Sequence, residues 1–396
     1  MNKRKKLIIV LPGFGFGGTV FSTLNMLSYI RDRYDVSIFG MRPYGPIRYQ
    51  YSNYDIIEPS SLLKAVVASP LGEESNLLNK IKLIIAKFIN HLLLQLNINI
   101  KYYVYKKEAC RISRKYDIDI VASAQECEAT RFVSFFENVR RIAWFRSEYS
   151  IMKRDLLSPE NVAKDHKFYS RFEKIICVSQ TTCNDFQKNF PELKDRVLAV
   201  HNIQNFQHII DLSKEPINDR FDKDTFNIVT VGRVAKQKQI YKIPSIAYEI
   251  KERYGLNFKW YIIGDGNVGG ERDRLNDAFE KYNNRDYVIE LGSRKNPYPY
   301  IASADLLVNT SYYEACPRVV AEAKILHIPV VCADFSSARE FVKSGYDGFV
   351  EKDDKLASVI AKFISDIKFY SQIKMNCNRY SMNNEEILMK LYSIFG

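Results

Sequence analysis

Short apolar runs alternating with longer stretches of helical period recur along all 396 residues of the chain. Runs spaced that far apart are joined by crossover helices, which implies parallel sheets covered on both faces, the α/β class. In the first half the expected strands are Lys6 to Leu11, Val36 to Phe39, Ile118 to Ser123, Arg141 to Phe145, Lys174 to Val178 and Val197 to His201. The pattern starts afresh with "FNIVTVGRV" and continues through "FKWYIIGDG", "YVIELG", "DLLVNTS" and "IPVVCAD". The polar, turn-rich stretch between the halves places a linker near 205 to 224. Two Rossmann-like halves, 1–205 and one beginning at 206, imply a cleft between them.

Composition narrows the class further. With 46% hydrophobic and 26% charged residues the chain is globular. Its seven cysteines are odd in number and never form a C-x-x-C pair, which argues against a disulfide framework and a zinc site and favours a cytoplasmic setting. The apolar run after the basic head "MNKRKK" lasts only from Leu7 to Leu11, too short for a signal-peptide core or a bilayer span. Net charge is +12, and from Leu77 to Lys115 nine Lys/Arg face one acid, Glu108. That surplus favours an anionic partner, and no nucleic-acid module accompanies it. Within the stretch, apolar residues at 77, 78, 81, 84, 85, 88, 89, 92 and 96 form a helical stripe. Two readings stand: a helix packed on its own sheet, or a basic amphipathic helix on an anionic membrane surface.

Gly13, Gly15 and Gly18 stand at G-x-G-x-x-G spacing after the first strand. A dinucleotide site also needs an acid about 20 residues on, at the end of the second strand. That strand ends in Ile38, Phe39 and Gly40, and only Arg42 could meet the 2′-phosphate of NADP. What remains is the Gly17-Gly18 turn, which either serves strand-to-helix packing or lets a ligand approach the bare backbone.

The segment from Val308 to Val331, "VNTSYYEACPRVVAEAKILHIPVV", carries the most chemistry. A strand end is followed by Glu314 in a loop, Pro317 at a helix start and Glu322 within the helix. Free amides near Cys316, Arg318 and Val319 favour a diphosphate, and the two carboxylates can accept hydrogen bonds from sugar and ribose hydroxyls. Upstream, "VTVGRVAKQKQI" supplies Arg233 and Lys238 after a strand, two cations suited to a diphosphate. "YIIGDG" adds Gly264, Asp265 and Gly266 at the same sheet edge.

The order G-R-x(4)-K, G-D-G, then "YIASADLLVNTSYYEACPRVVAEAKILHIPVVCAD" closely resembles the retaining glycosyltransferases of family 4, which have the GT-B fold. The likeness is strong over about 226 to 355 and weak before it, apart from "VHNIQN" and Gly17-Gly18. The resemblance implies two Rossmann-like parallel-sheet domains facing a central cleft: an acceptor domain 1–205, a donor domain 206–378 and a helix in 379–396 returning to the first. It implies that Glu314 binds donor-sugar hydroxyls, Glu322 the ribose, and Arg233 and Lys238 the diphosphate. Gly17 and Gly18, with Gly264 and the Cys316 to Val319 helix start, would complete the donor site, and backbone near Gly292 to Arg294 the base pocket. One departure is the lack of the histidine that many members carry in the first-domain cleft, where this chain reads "SAQECEAT" and "WFRSEYS". Arg146 and Glu148, or Glu126 and Glu128, are then the acceptor-site candidates.

Retaining transfer without a nucleophile fits a front-face route, in which the departing diphosphate helps deprotonate the incoming hydroxyl on the same face. No D-x-D pair ends a first-domain strand, so neither a metal nor any other cofactor is expected beyond the nucleotide-sugar co-substrate. UDP is expected in preference to GDP. The resemblance places the acceptor among growing, lipid-linked surface glycans of the capsule, lipopolysaccharide O-antigen or teichoic acid type, with the enzyme peripheral on the inner membrane face. The alternative is a GT-B subunit that binds but does not turn over, supporting a partner transferase.

Overall fold

The computed structural model describes residues 4–15, 17–67, 76–96, 98–217, 221–222, 224–267, 269–381 and 383–396. The chain forms two units, 1–204 with 384–396, and 205–383.

The first unit is built on a parallel sheet of seven strands: β1 (Lys5–Gly13), β2 (Tyr34–Arg42), β3 (Asp55–Ile57), β4 (Ile120–Ser123), β5 (Arg140–Phe145), β6 (Lys174–Cys177) and β7 (Val197–Ala199), in the order β3-β2-β1-β4-β5-β6-β7. Leu7 to Leu11 of β1 are buried because the strand is central and helices cover both faces. Its register sets Leu7 against Val36 on one side and Ile120 on the other. One face packs Val10, Phe39, Phe132 and Phe145 into a common core, with Phe39 and Phe132 stacked at 5.2 Å. The helix Glu385–Phe395 belongs to this unit, where Phe395 lies edge-on to Tyr34 at 5.3 Å and 6.0 Å from Trp144.

The second unit has a six-stranded parallel sheet: β8 (Phe226–Val231), β9 (Phe258–Ile263), β10 (Val288–Gly292), β11 (Leu306–Asn309), β12 (Val330–Ala333) and β13 (Gly348–Glu351), in the order β10-β9-β8-β11-β12-β13. The two-residue period of a strand sends neighbours to opposite faces. Ile228 and Ile262 join Trp260, Phe279 and Ile360 on one, and Val229 and Ile263 join Leu307, Val320 and Val330 on the other.

Three expectations need correction. Two strands, β3 and β13, lie outside the expected set, and each is a short edge strand. The expected linker at 205 to 224 begins with a helix, Phe206–Leu212, because the Asn205 side chain accepts the His208 amide at 3.2 Å and Ile209 is buried; residues 218–220 and 223 lie outside the described residues. The stripe on the helix Leu77–Gln95 does not pack on the sheet: of this helix only Leu83 and Ala86 are buried, against Ala65 and Leu62. Asn97, within the basic stretch, and Met382, before the last helix, also lie outside the described residues. Among the described residues no helix is long and apolar enough to cross a membrane.

Candidate active site

In an open parallel sheet, ligands bind beyond the carboxyl ends of the strands where successive connections leave in opposite directions. In the second unit that point lies between β8, followed outward by β9 and β10, and β11, followed by β12 and β13. The loops leaving β8 and β11 there carry Arg233 with Lys238, and Glu314.

These loops are laced together. The Tyr312 amide donates to the Gln237 carbonyl at 2.7 Å, Gln237 Nε2 donates to the Tyr313 carbonyl at 2.9 Å, and Thr310 Oγ1 donates to the Lys238 carbonyl at 2.9 Å. Lys238 Nζ is ion-paired with Glu314 Oε1, which also accepts from Ser311 Oγ at 3.0 Å, while Ser337 Oγ fixes the Glu314 backbone oxygen at 2.5 Å. Glu314 is only 8% exposed, and its lysine offsets the cost of holding a carboxylate there. A carboxylate has room for about four hydrogen bonds, so acceptor capacity for a ligand hydroxyl remains. Arg233 is exposed and makes no ion pair among the described residues.

Gly264 directly follows β9 with φ +142°, and a Cβ there would fall 1.9 Å from the Gly232 carbonyl oxygen. Glycine is therefore what lets the two strand ends close up below the Arg233–Lys238 loop. Asp265, its neighbour, is held by Arg272 at 2.6 Å. Arg294 leans on Tyr300, its Nε 3.2 Å from the hydroxyl.

The helix Arg318–Ile325 begins after Pro317, with Cys316 in the loop before it and Val319 in its first turn. Glu322 Oε1 receives Arg318 at 2.9 Å and the Tyr298 hydroxyl at 3.4 Å. Burial pulls the Arg318 guanidinium down, but Glu322 and Tyr298 beside it hold it above its ordinary value. The Tyr298 hydroxyl is raised by burial and by the Glu322 carboxylate. The two expected carboxylates thus sit in separate networks, Glu314 with a lysine and Glu322 with an arginine. Arg318 was legible as a helix neighbour four residues before Glu322. Tyr298 and Ser337 were not, since they arrive from other elements.

In the first unit the corresponding point lies between β1 and β4. Gly17 precedes the helix Gly18–Ile30 in extended backbone at φ 177°, and a Cβ on it would meet nothing within 4 Å. Neither backbone nor packing demands glycine at 17; Phe16 lies outside the described residues. Arg42 is occupied with the Val67 carbonyl at 3.0 Å.

Arg146, after β5, anchors the loop after β4. Its Nε donates to the Ala124 carbonyl at 2.6 Å, one terminal nitrogen reaches Ser22 at 2.9 Å and Asn202 at 2.7 Å, and its amide donates to Glu126 at 3.0 Å. Ser147 Oγ bonds the same carboxylate at 2.5 Å. Glu148 is buried at the start of the helix Tyr149–Asp155, whereas Glu128 is tied to Lys101 and Tyr105. Between Glu126 and Glu128, Cys127 adopts φ 64°, a strained position for a residue with a Cβ. Burial, with Glu126 beside it, pushes its thiol up to about 12, so it stays protonated at neutral pH.

Residues 213–379 match the family of glycosyl transferases group 1. The chain is 27% identical over 201 residues to an uncharacterized glycosyltransferase of Methanocaldococcus jannaschii, covering 50% of this chain and 48% of that one. It is 26% identical over 206 residues to the N-acetylgalactosamine-N,N'-diacetylbacillosaminyl-diphospho-undecaprenol 4-alpha-N-acetylgalactosaminyltransferase of Campylobacter jejuni, covering 52% and 53%. The chain thus spans about half the length of the curated relatives it matches. The crystal structure of Anabaena HepE in complex with UDP-glucose superposes with a TM-score of 0.74 at 18% identity, covering 98% of this chain and 99% of that one. The match to the glycosyl transferases group 1 family thus falls within the second unit, and the two parallel sheets have the architecture of the GT-B fold.

Proposed function

We propose that this chain is a retaining glycosyltransferase that moves a sugar from a nucleotide diphosphate-sugar, UDP in preference to GDP, to a lipid-linked surface glycan. The observation that carries the reading is the meeting of Lys238 and Glu314 at the switch point of the second sheet, with the exposed Arg233 on the same loop as Lys238. In this reading the cations take the diphosphate and offset the charge that grows on it as the glycosyl bond breaks. Glu314, held by Ser311 and Lys238, accepts from the donor sugar, and Glu322 accepts from the ribose. The departing diphosphate takes the proton of the incoming hydroxyl on the same face, so no protein base and no metal enters. Glu126, Arg146 and Glu148, buried or bonded at the switch point of the first sheet, shape the acceptor site. The Campylobacter relative, named for a diphospho-undecaprenol substrate, and HepE, which holds UDP-glucose, support the acceptor and donor classes.

Calorimetric titration with UDP, GDP and NADPH, in parallel on an Arg233→Ala variant, tests the donor. Micromolar UDP binding that weakens in the variant is expected. NADPH binding with neither diphosphate would overturn the reading. In turnover, Glu314→Ala should lose about 2–4 kcal/mol of transition-state stabilisation, since it removes a charged hydrogen-bond acceptor at the reacting sugar. The anomeric configuration of the product tests retention, and unchanged turnover in EDTA tests metal independence. UDP binding without turnover on any donor would favour the binding-subunit reading.

A further inference from the structure

We propose that the helix Leu77–Gln95 is an in-plane anchor that docks the first unit on an anionic lipid surface. The helix has an apolar face with no protein against it among the described residues. Ile81, Ile84, Ile85, Phe88, Ile89 and Leu92 are 45 to 68% exposed. At 100° per residue these six span about 140° of the circumference, the width a helix normally buries. The opposite side is the one that meets the protein, through Leu83 and Ala86. An exposed apolar area on the order of several hundred Å² is uncommon on a monomer unless it meets a partner or a membrane.

Charge selects the partner. Lys82 borders the apolar face on one side, and Lys80 and Lys87 border it on the other. From Asn76 to Lys107 the chain has no Asp or Glu. A helix lying at the headgroup boundary needs this arrangement, with the apolar face turned down into the acyl region and lysine stems reaching out to lipid phosphates on both flanks. A second copy of the same face would set lysine rim against lysine rim, so self-association is disfavoured by the charges that favour anionic lipid. The proposal deepens the transferase reading by naming the surface on which a lipid-linked acceptor would be met. Its test needs neither donor nor acceptor, so the two readings fail separately.

The experiment is co-sedimentation of the full chain with vesicles of phosphatidylcholine alone or with about a third phosphatidylglycerol, beside an Ile81→Ser/Ile85→Ser/Phe88→Ser variant. The changed side chains are exposed, so the variant should keep the wild-type circular dichroism and melting temperature. Binding to the anionic vesicles should exceed binding to neutral ones by at least about tenfold and fall by at least about tenfold in the variant. A Phe88→Trp variant gives a direct readout, because both native tryptophans, Trp144 and Trp260, are buried. The emission of its added indole should shift to the blue on vesicles and be quenched by lipids brominated on the acyl chains. Wild-type protein that stays in the supernatant, equal binding by the serine variant, or indole emission in the Phe88→Trp variant that brominated lipids leave unquenched would each overturn the proposal. So would light scattering that shows a dimer in wild type and a monomer in the serine variant, with no vesicle binding by either.

Discussion

Gly264 and Gly17 make opposite demands on a methyl group. At Gly264 a Cβ would collide with the Gly232 carbonyl at 1.9 Å, and φ +142° is a conformation L side chains rarely adopt. Gly264→Ala should therefore destabilise the protein by about 1–3 kcal/mol and weaken UDP binding, because relief of the clash must move the loop that carries Arg233 and Lys238. At Gly17 the backbone is extended and the space open, so Gly17→Ala should change stability by no more than about 0.5 kcal/mol. A large loss of turnover in a stable Gly17→Ala protein would mean that a ligand approaches this backbone. Urea denaturation beside steady-state kinetics separates the two effects. The residues of the switch point were legible because they lie in loops directly after strands, where spacing reports position. Ser337 and Tyr298 were hidden because they reach Glu314 and Glu322 across 23 and 24 residues, and nothing in spacing predicts a through-space bond.

Among elements, what was legible depends on burial. Central strands such as β1 and β9 are apolar along most of their length because both faces are covered, and they stand out in the sequence. Edge strands do not: β3 is three residues, "DII", and β13 is "GFVE", half-buried at alternate positions. The helix Leu77–Gln95 shows the opposite failure, since its stripe was visible but periodicity does not say what covers it. The helix Glu385–Phe395 is the element whose removal should be felt furthest from its own position in sequence. Phe395 packs on Tyr34 and Trp144, and Arg140 donates to the carbonyls of both Ile394, at 2.7 Å, and Phe395. A cation there also suits the negative end of the helix. Phe395→Ala should destabilise the first unit by about 3–5 kcal/mol, measured as a lower urea midpoint at constant slope.

At the scale of the whole molecule, the chain enters the second unit after Gln204 and leaves it before Asn384. Those two residues are bonded to each other within the first unit: Asn384 Nδ2 donates to the Gln204 carbonyl at 2.8 Å, and the Gln204 amide approaches Asn384 Oδ1 at 3.5 Å. The second unit is thus an insertion whose two ends emerge side by side. The repeated strand pattern made the two halves legible, but the return of the last helix followed from resemblance, because no local signal says which core a terminal amphipathic helix will join. Each unit has its own apolar core, so the insertion predicts that the chain can be divided by excision and not by simple cutting. Residues 1–204 joined to 384–396 by about four Gly/Ser residues should melt cooperatively, since a linker reaching about 3.5 Å per residue easily spans bonded ends. Residues 1–204 alone should not, because Tyr34 and Trp144 lose Phe395. The excised 205–383 contains Arg233, Lys238, Glu314 and Glu322 together, so it should keep UDP affinity within about tenfold of the full chain, and UDP at about 100 times its Kd should stabilise it by about 2.7 kcal/mol. A folded 205–383 that binds no UDP would mean that residues outside it hold the nucleotide, and the switch point between β8 and β11 would lose its assignment.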